Sequence, residues 1–324
     1  MPKLDLSRVP VKTGSIYPAP YAAMMAGRSS LRLGQAGGLT QFGVNLVTLE
    51  PGALSSLRHW HLHEDEFVMV LSGTCTLVQD AGEWPMGAGD CAAFPAGVAD
   101  GHYFINRSDA EARFLVIGTK APREVATYSD VDLMVETEGN SATFTRKDGT
   151  PYAPTAADAT WQPSPRRQAR PQGMLTLPDW QVENPTHPIL GAGPGPYRFR
   201  LLSDPGGLSQ FGAFIEELPP GSSSGRRHWH EDEDEMILML SGEVVLVEDT
   251  ETPLAAGDAA TWPAGHPVGH RLDNRTDAPA RYLVIGTRLD RDRVHYTDHD
   301  LITEKDGATR RYLHRDGTPY GGTP

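Results

Sequence analysis

Short apolar stretches rich in β-branched residues recur about every ten residues along the chain. FGVNLVTLEPG, EFVMVLSGTCTLVQD and RFLVIGT are typical of them, and Gly, Pro or Asp residues stand between them. We find no stretch with a long 3.6-residue apolar period and capping residues at its ends. The pattern therefore predicts an all-β protein whose strands form a sandwich or a barrel.

Some of these strands are apolar on both faces. MILML (236–240) has no polar residue at either of its two alternating sets of positions. A strand of this kind is covered on both sides. We expect one face to line the barrel interior and the other to meet a sister domain or a second chain.

The chain contains a long internal repeat. RHWHLHEDEFVMVLSG (58–73) returns as RHWHEDEDEMILMLSG (227–242), 169 positions later. GGLTQFG, GDCAAFPAG and KDGTPY also have second copies, so that nearly all of 28–152 recurs over 197–320. The repeat predicts two tandem domains and not a solenoid of small units. The predicted domains are 1–154, with its core at 28–152, and 186–324, with its core at 197–320.

The segment between the two copies has a different composition. TAADATWQPSPRRQARPQG (155–173) is rich in Pro, Ala, Arg and Gln and has no apolar period. We interpret 155–185 as a Pro/Arg-rich linker that is exposed to solvent.

Charge and composition narrow the class of protein. The chain has 324 residues, 39% of them hydrophobic, and a formal net charge of −13. This charge argues against nucleic acid or an anionic membrane as a partner. The amino end lacks an apolar signal core and no run of 18 apolar residues occurs, so we expect a soluble, cytoplasmic protein. Cys75 and Cys91 are replaced by Val and Ala in the second copy, which predicts buried, inert thiols.

Histidine and glutamate recur at matching positions in the two copies. Alternate side chains share one face of a strand, so the two histidines of each HWH point the same way. A glutamate follows five residues later and a third histidine lies further along each copy. Three imidazoles and one carboxylate are a familiar ligand set for Zn, Mn, Fe or Ni, which predicts one divalent metal per domain. The candidate ligands are His59, His61, Glu66 and His102 in the first copy, and His228, His230, Glu235 and His270 in the second.

Other polar residues are assigned structural roles. His63 corresponds to Asp232 in the second copy and is interpreted as a turn residue. EDEDE (231–235) is interpreted as a solvated turn in which the last residue alone is a metal ligand. Tyr128 and Tyr296 are kept in both copies but follow the last predicted core strand, so we expect them to pack the tail. No catalytic acid or base is identified. Parity predicts an apolar wall facing each ion, formed near Val70, Phe104, Met239 and Leu272.

With these motifs in place, the chain resembles the cupin superfamily, and in particular a bicupin. The first family motif is matched by Gly52, His59, His61, Glu66 and Gly73, and again by Gly221, His228, His230, Glu235 and Gly242. The second is matched by Gly89, Pro95, Gly97, His102 and Asn106, and again by Gly257, Pro263, Gly265, His270 and Asn274. Both copies share two departures in spacing, with six residues between the first Gly and HWH and four between PAG and the last His.

The resemblance implies two tandem jelly-roll barrels (double-stranded β-helices), each with its metal inside. It does not determine the function, because the fold supports many. We favour a metal-dependent enzyme acting on a small, oxygen-rich, anionic substrate, of the dioxygenase, decarboxylase, isomerase or lyase type. The alternative is a non-catalytic metal-containing protein that binds or senses a small molecule. A homo-oligomer, specifically a dimer, is also expected.

Overall fold

The computed structural model describes residues 3–139 and 141–321, and strands dominate both halves of the chain. The first half forms a barrel, called here the first barrel, which also carries a short helix, α1 (Leu33–Ala36), and two 3-10 turns, Leu6–Arg8 and Tyr21–Met25. Its strands are β1 (Val11–Thr13), β2 (Arg28–Arg32), β3 (Phe42–Leu49), β4 (His59–His61), β5 (Glu66–Ser72), β6 (Thr74–Val78), β7 (Glu83–Gly87), β8 (Cys91–Phe94), β9 (Tyr103–Ile105), β10 (Ala112–Thr119), β11 (Arg123–Tyr128), β12 (Leu133–Glu138) and β13 (Ser141–Thr145).

The second half repeats this order of strands as the second barrel. Helix α2 (Ala156–Thr160) precedes it, and within residues 3–139 and 141–321 every helix is too short to cross a membrane. The strands are β14 (Gln181–Glu183), β15 (Thr186–His187), β16 (Gly191–Ala192), β17 (Tyr197–Leu201), β18 (Phe211–Leu218), β19 (His228–His230), β20 (Glu235–Ser241), β21 (Glu243–Val247), β22 (Glu251–Ala255), β23 (Ala259–Trp262), β24 (Arg271–Asp273), β25 (Ala280–Thr287), β26 (Arg291–Tyr296), β27 (Leu301–Asp306) and β28 (Thr309–Leu313).

Each barrel is built from two antiparallel walls. In the first barrel one wall has the order β1-β2-β3-β10-β5-β8. The other combines β13-β12-β11-β4 with β7-β6-β9, and the two parts meet at a backbone bridge between His59 and His102. The second barrel repeats both walls, as β14-β17-β18-β25-β20-β23 and as β19-β26-β27-β28 with β22-β21-β24. The prediction of an all-β chain with two tandem jelly-roll barrels is confirmed.

The strands that are apolar on both faces contact two different cores. In β5, Val68 and Val70 lie in the interior of the first barrel, whereas Phe67 and Met69 point the other way. That outer face joins a cluster to which both barrels contribute, including Phe42 and Phe211 at 6.4 Å between ring centroids. The sister domain therefore covers the second face of these strands, as expected. Cys75 and Cys91 are buried in these cores as free thiols.

The repeated GGL tripeptides lie where the two barrels approach most closely. A Cβ atom on Gly37 would lie 2.3 Å from Thr261 Oγ1, and one on Gly206 would lie 2.4 Å from Ala93 Cβ. Both contacts cross from one barrel to the other. Glycine is required at these two positions because any side chain would force the barrels apart.

Two buried aspartates connect the barrels just before each candidate glutamate ligand. Asp234 accepts hydrogen bonds from the backbone N–H groups of Thr40 at 2.6 Å and Gln41 at 2.8 Å, and it is fully buried. Asp65 makes the equivalent bonds with Ser209 at 2.7 Å and Gln210 at 3.0 Å. The interpretation of EDEDE as a solvated turn is therefore wrong for Asp234. This carboxylate is buried because it satisfies backbone donors of the other barrel.

Segments that precede each barrel pair with the opposite one. The N–H of Leu4 donates to Ala259 O of the second barrel at 2.8 Å, and Lys3 Nζ lies 2.8 Å from Asp258 Oδ2. In the same way the N–H of Leu175 donates to Cys91 O of the first barrel at 2.9 Å. Residues 3 and 4, which the predicted limits 1–154 assign to the first domain, therefore contact the second barrel as well.

The predicted linker, 155–185, is folded against the barrels. Thr155 caps α2, and Asp158 accepts a hydrogen bond from the buried Tyr21 hydroxyl at 3.0 Å. Trp161 packs near Tyr21 with ring centroids 6.5 Å apart. Strand β14, at the end of the segment, pairs with β17. Most residues of the segment are exposed or half-buried, as expected for a connector, but Asp158 and Trp161 find partners on the first barrel.

Candidate metal centres

Strand pairing brings the four candidate ligands of the first barrel together. His59 and His61 share one face of β4 because alternate residues do so. His102 lies directly across from His59, since the two backbones exchange hydrogen bonds of 3.1 and 2.8 Å. Glu66 is the first residue of β5 in the opposite wall. Three histidines from one wall therefore face a glutamate from the other.

Ligand atoms of His59, His61 and Glu66 lie within 4.8 Å of one another, and His102 contacts the same glutamate. His59 Nε2 lies 3.1 Å from His61 Nε2, and His102 Nε2 lies 3.0 Å from Glu66 Oε1. His61 Nε2 is 3.5 Å from Glu66 Oε2. Ring nitrogens and carboxylate oxygens in such contact form a cluster that a divalent cation would bridge.

The second barrel repeats the cluster. His228 and His270 form the same backbone bridge. His270 Nε2 lies 3.2 Å from Glu235 Oε2, and His230 Nε2 lies 3.8 Å from the same oxygen. Ligand atoms of His228, Glu235 and His270 lie within 4.8 Å of one another, as do those of His59, His61 and Glu66 in the first barrel. His230 and His102 each approach the glutamate of their own cluster.

A backbone carbonyl orients the imidazole of the first histidine in each HWH. His59 Nδ1 is 2.9 Å from Leu57 O, and His228 Nδ1 is 2.8 Å from Arg226 O. A carbonyl oxygen only accepts, so the proton is on Nδ1 and the lone pair of Nε2 faces the centre. This is the orientation that metal-binding histidines take, and the three imidazoles and one carboxylate of each centre fit a divalent ion.

Two acidic residues next to the centres were missed in the sequence. Asp292 Oδ2 lies 2.6 Å from His230 Nδ1, and Glu124 Oε1 lies 3.6 Å from His61 Nδ1. Both are almost fully buried, on β26 and β11. An acid at the same position of both copies was the available signal. It was overlooked because only the strand pairing of β11 with β4 brings Glu124 beside His61.

An aromatic ring supports the third histidine of each centre. Phe94 stacks on His102 with ring centroids 3.5 Å apart, and Trp262 stacks on His270 at 3.8 Å. The matching aromatic residues in FPAG and WPAG were visible in the sequence. Their role was not, because it depends on Phe94 pairing with Glu66 across β8 and β5.

The buried charges divide the histidines into two kinds. Burial, together with the charges of His61 and His102, lowers the pKa of His59 to about 3, and similar causes lower that of His228 to about 4. Burial also acts to lower the pKa of His61, but the nearby negative charges of Glu124 and Glu66 raise it to about 10. For Glu235 burial acts upward, but the charge and hydrogen bond of His270 lower the pKa to about 2. Each centre therefore holds an ionised carboxylate and a neutral imidazole at neutral pH.

The first centre lies at one end of a large open cavity. The cavity has a volume of about 760 Å³, within the range of about 300–1,000 Å³ that is usual for small-molecule sites. Phe104, Phe114 and Val116 form an apolar part of its wall. Val70, which was expected there, lies in the packed core instead.

The expected apolar wall is present in part, since Phe104 lines the cavity, but the lining also carries several cations. Among the described residues that line it, Glu66 is the only carboxylate. Four cations stand against it in a chain with a net charge of −13. They are Lys12, Arg28, Arg32 and Lys120.

Tyr128 also lines the cavity. It pairs with His59 across β11 and β4, its ring centroid is 5.9 Å from that of His59, and burial raises its pKa well above the usual value. Tyr128 also packs, as expected, against the chain that follows it, in a buried cluster with Leu133, Val135 and Phe144, while β11 belongs to the wall that carries the histidines. Its protonated hydroxyl is a candidate proton donor.

The second barrel has different residues at the equivalent positions. In the second copy Tyr197 replaces Arg28, Glu216 replaces Val47 and Tyr282 replaces Phe114. Glu216 and Tyr282 are buried, and Glu216 Oε1 makes no hydrogen bond with the part of the chain that the structure describes. Burial and the charge of Glu235 raise the pKa of Glu216 to about 8. The two centres thus share their ligands and differ in their surroundings.

Comparisons with known proteins agree with this architecture. The family model described as "Cupin domain" matches residues 45–118 and 214–286. A structure from Silicibacter pomeroyi, called a sugar phosphate isomerase from a cupin superfamily, is 61% identical and covers 48% of this chain and 98% of its own, with a TM-score of 0.47. Oxalate decarboxylase from Bacillus subtilis is 15% identical, covers 89% of this chain and 78% of its own, and has a TM-score of 0.51.

A further structure also matches less than half of this chain. It is a putative sugar phosphate isomerase from Acidithiobacillus ferrooxidans, 26% identical, covering 43% of this chain and 97% of its own, with a TM-score of 0.36. Among curated proteins no sequence matches the chain.

Proposed function

The chain belongs to the cupin superfamily as a bicupin, and from this premise we propose that it is a metal-dependent enzyme acting on a small, oxygen-rich, anionic molecule. The observation that supports the proposal is that His59, His61, Glu66 and His102 all line one open cavity whose wall also carries four cations. Ligands alone would suit a structural metal. A cavity that leads to them provides space for a substrate.

We propose that His59, His61, Glu66 and His102 hold one divalent ion and that His228, His230, Glu235 and His270 hold another. Zn, Mn, Fe or Ni would suit these imidazole and carboxylate donors. A bound ion would supply Lewis-acid or redox chemistry to a coordinated oxygen of the substrate. Glu124 and Asp292 are positioning residues in this proposal, because they contact the outer nitrogens of His61 and His230.

The reaction type is proposed among dioxygenase, decarboxylase, isomerase and lyase chemistry. The relative with 61% sequence identity is named a sugar phosphate isomerase, so isomerisation of sugar phosphates is the first activity to test. Tyr128 would serve as the proton donor nearest to His59. A cytoplasmic location and a homodimer remain predictions from the sequence.

Metal content provides the first test. Elemental analysis of the purified protein should find an ion in each barrel. His59→Ala should lose the ion of the first barrel, and His228→Ala that of the second. His63→Ala is the matched control, because His63 is exposed and follows His61 by two residues. Full metal content in His59→Ala would refute the assignment of ligands.

Turnover provides the second test. Protein loaded with each metal is incubated with sugar phosphates, hydroxy acids and oxalate, while NMR detects products and electrodes follow O₂ and CO₂. We expect turnover that His59→Ala abolishes and His63→Ala retains. Tight binding of a ligand without turnover in any metal form would support the alternative function, a non-catalytic binding or sensor protein.

A further inference from the structure

The cationic wall of the first cavity is organised by strand register. Arg28, Ser30 and Arg32 alternate along β2 and therefore share one face. Lys12 on β1 lies directly opposite Ser30. Lys12 is consequently flanked by both arginines, and all four residues line the cavity.

These cations lack the partners that would neutralise them. Lys12 and Arg28 make no side-chain hydrogen bond or ion pair with residues 3–139 and 141–321. Desolvation and the charges of Arg32 and Arg28 lower the pKa of Lys12. The three side chains are therefore close enough to repel one another electrostatically. Like charges held together in this way are unfavourable unless an anion joins them.

The second barrel shows that the fold does not require these charges. At the same register Gln181 pairs with Phe199, as Lys12 pairs with Ser30. Tyr197 and Leu201 stand where the first barrel has Arg28 and Arg32. Strands of the same length and pairing form without any of the three cations, so their presence in the first barrel calls for a functional explanation.

We propose that Lys12, Arg28 and Arg32 form a subsite for a phosphate monoester or a comparable dianionic group of the substrate. This inference rests on the proposed function, since it divides the cavity between a metal end and an anion end. A dianion is favoured over a single carboxylate because three cations meet at the subsite. The second barrel, with Tyr197, Phe199 and Gln181, does not bind the same ligand.

The test measures the affinity for inorganic phosphate by calorimetry in metal-loaded protein. Lys12→Gln and Arg28→Tyr are introduced singly and together, because these are the residues that the second barrel holds in the same register. Arg8→Gln is the control, since Arg8 is exposed, lies outside the cavity and changes the net charge by the same amount. Elemental analysis and circular dichroism accompany each variant.

We expect each cavity variant to weaken phosphate binding by about tenfold or more with unchanged metal content, and Arg8→Gln to have no effect. Lys12 is exposed, so Lys12→Gln keeps the test informative if Arg28→Tyr does not fold. Equal phosphate affinity in wild type and Lys12→Gln/Arg28→Tyr would overturn the subsite. Acetate that binds as tightly as phosphate would overturn its assignment to a dianion.

The His59→Ala variant separates this inference from the proposed function. If phosphate binding survives in His59→Ala and is lost in Arg28→Tyr, the subsite is independent of the metal, as proposed. If binding is lost in His59→Ala and kept in Arg28→Tyr, the anion sits on the metal and the inference fails while the metal centre stands. Protein that binds phosphate through Arg28 but holds no metal in either barrel would refute the proposed function alone.

Discussion

Replacing Asp234 by alanine should weaken the junction between the two barrels. Its carboxylate accepts three backbone hydrogen bonds, from Thr40 at 2.6 Å, Gln41 at 2.8 Å and Ala264 at 2.8 Å. Because the site is fully buried, Asp234→Ala leaves these three donors without an acceptor. A buried group without its partner costs about 1–3 kcal/mol, and entry of water reduces the total, so we expect a loss of about 3–5 kcal/mol.

Calorimetric unfolding measures the effect. For a chain of this length the expected loss corresponds to a fall in Tm of about 4–7 °C. Asp232→Ala is the matched control, because Asp232 is exposed, lies two residues earlier and removes the same charge. Asp65→Ala should behave like Asp234→Ala, since Asp65 makes the equivalent bonds from the other side. A shift in Asp234→Ala no larger than in Asp232→Ala would refute this account of the junction.

Two further changes test the surroundings of the centres. In metal-free protein, folding holds Glu216 neutral by raising its pKa from 4.5 to about 8, so stability present at low pH is lost as the pH rises toward 8. Urea titrations at pH 5 and pH 8 measure this loss of unfolding free energy, and Glu216→Gln should reduce it by up to about 3 kcal/mol. The same loss in wild type and Glu216→Gln would contradict the raised pKa of Glu216. Asn106, fully buried, donates to Leu49 O and Ala110 O and accepts from Ser108. Asn106→Ala should cost about 2–4 kcal/mol in thermal unfolding and leave metal content unchanged, whereas metal loss from a folded variant would assign Asn106 a different role.

The features that the sequence predicted are those with a local or repeated signal. The two-residue period of a strand places His59 and His61 on one face, and the repeat shows the same pair at His228 and His230. The spacing of the apolar strands predicted the barrels. His102 was included because a third histidine, His270, recurs at the matching position of the second copy, and the bridge to His59 supplies the physical reason for its place in the centre.

The features that were missed depend on pairing between distant segments. Glu124 reaches His61 only because β11 lies beside β4, and Asp234 is buried only because the second barrel packs against Thr40 and Gln41. An acidic residue in a polar turn has the same local signature whether it is solvated or capped by another domain. The sequence pattern therefore favoured the solvated interpretation, and only the tertiary contact distinguishes the two.

Residues that the two barrels share and residues at which they differ have different roles. Shared residues such as Gly37 with Gly206, or Asn106 with Asn274, are explained by close approach and buried hydrogen bonds, which any such barrel requires. Positions that differ carry other information, since Arg28 lines the first cavity whereas its counterpart Tyr197 lies near Glu216. Two centres with the same ligands and opposite surroundings, cationic in one barrel and acidic and aromatic in the other, would not favour the same substrate. Variants that empty one centre at a time, such as His59→Ala and His228→Ala, are therefore needed to assign an activity to one barrel, because a measurement on the unmodified chain would average two different sites.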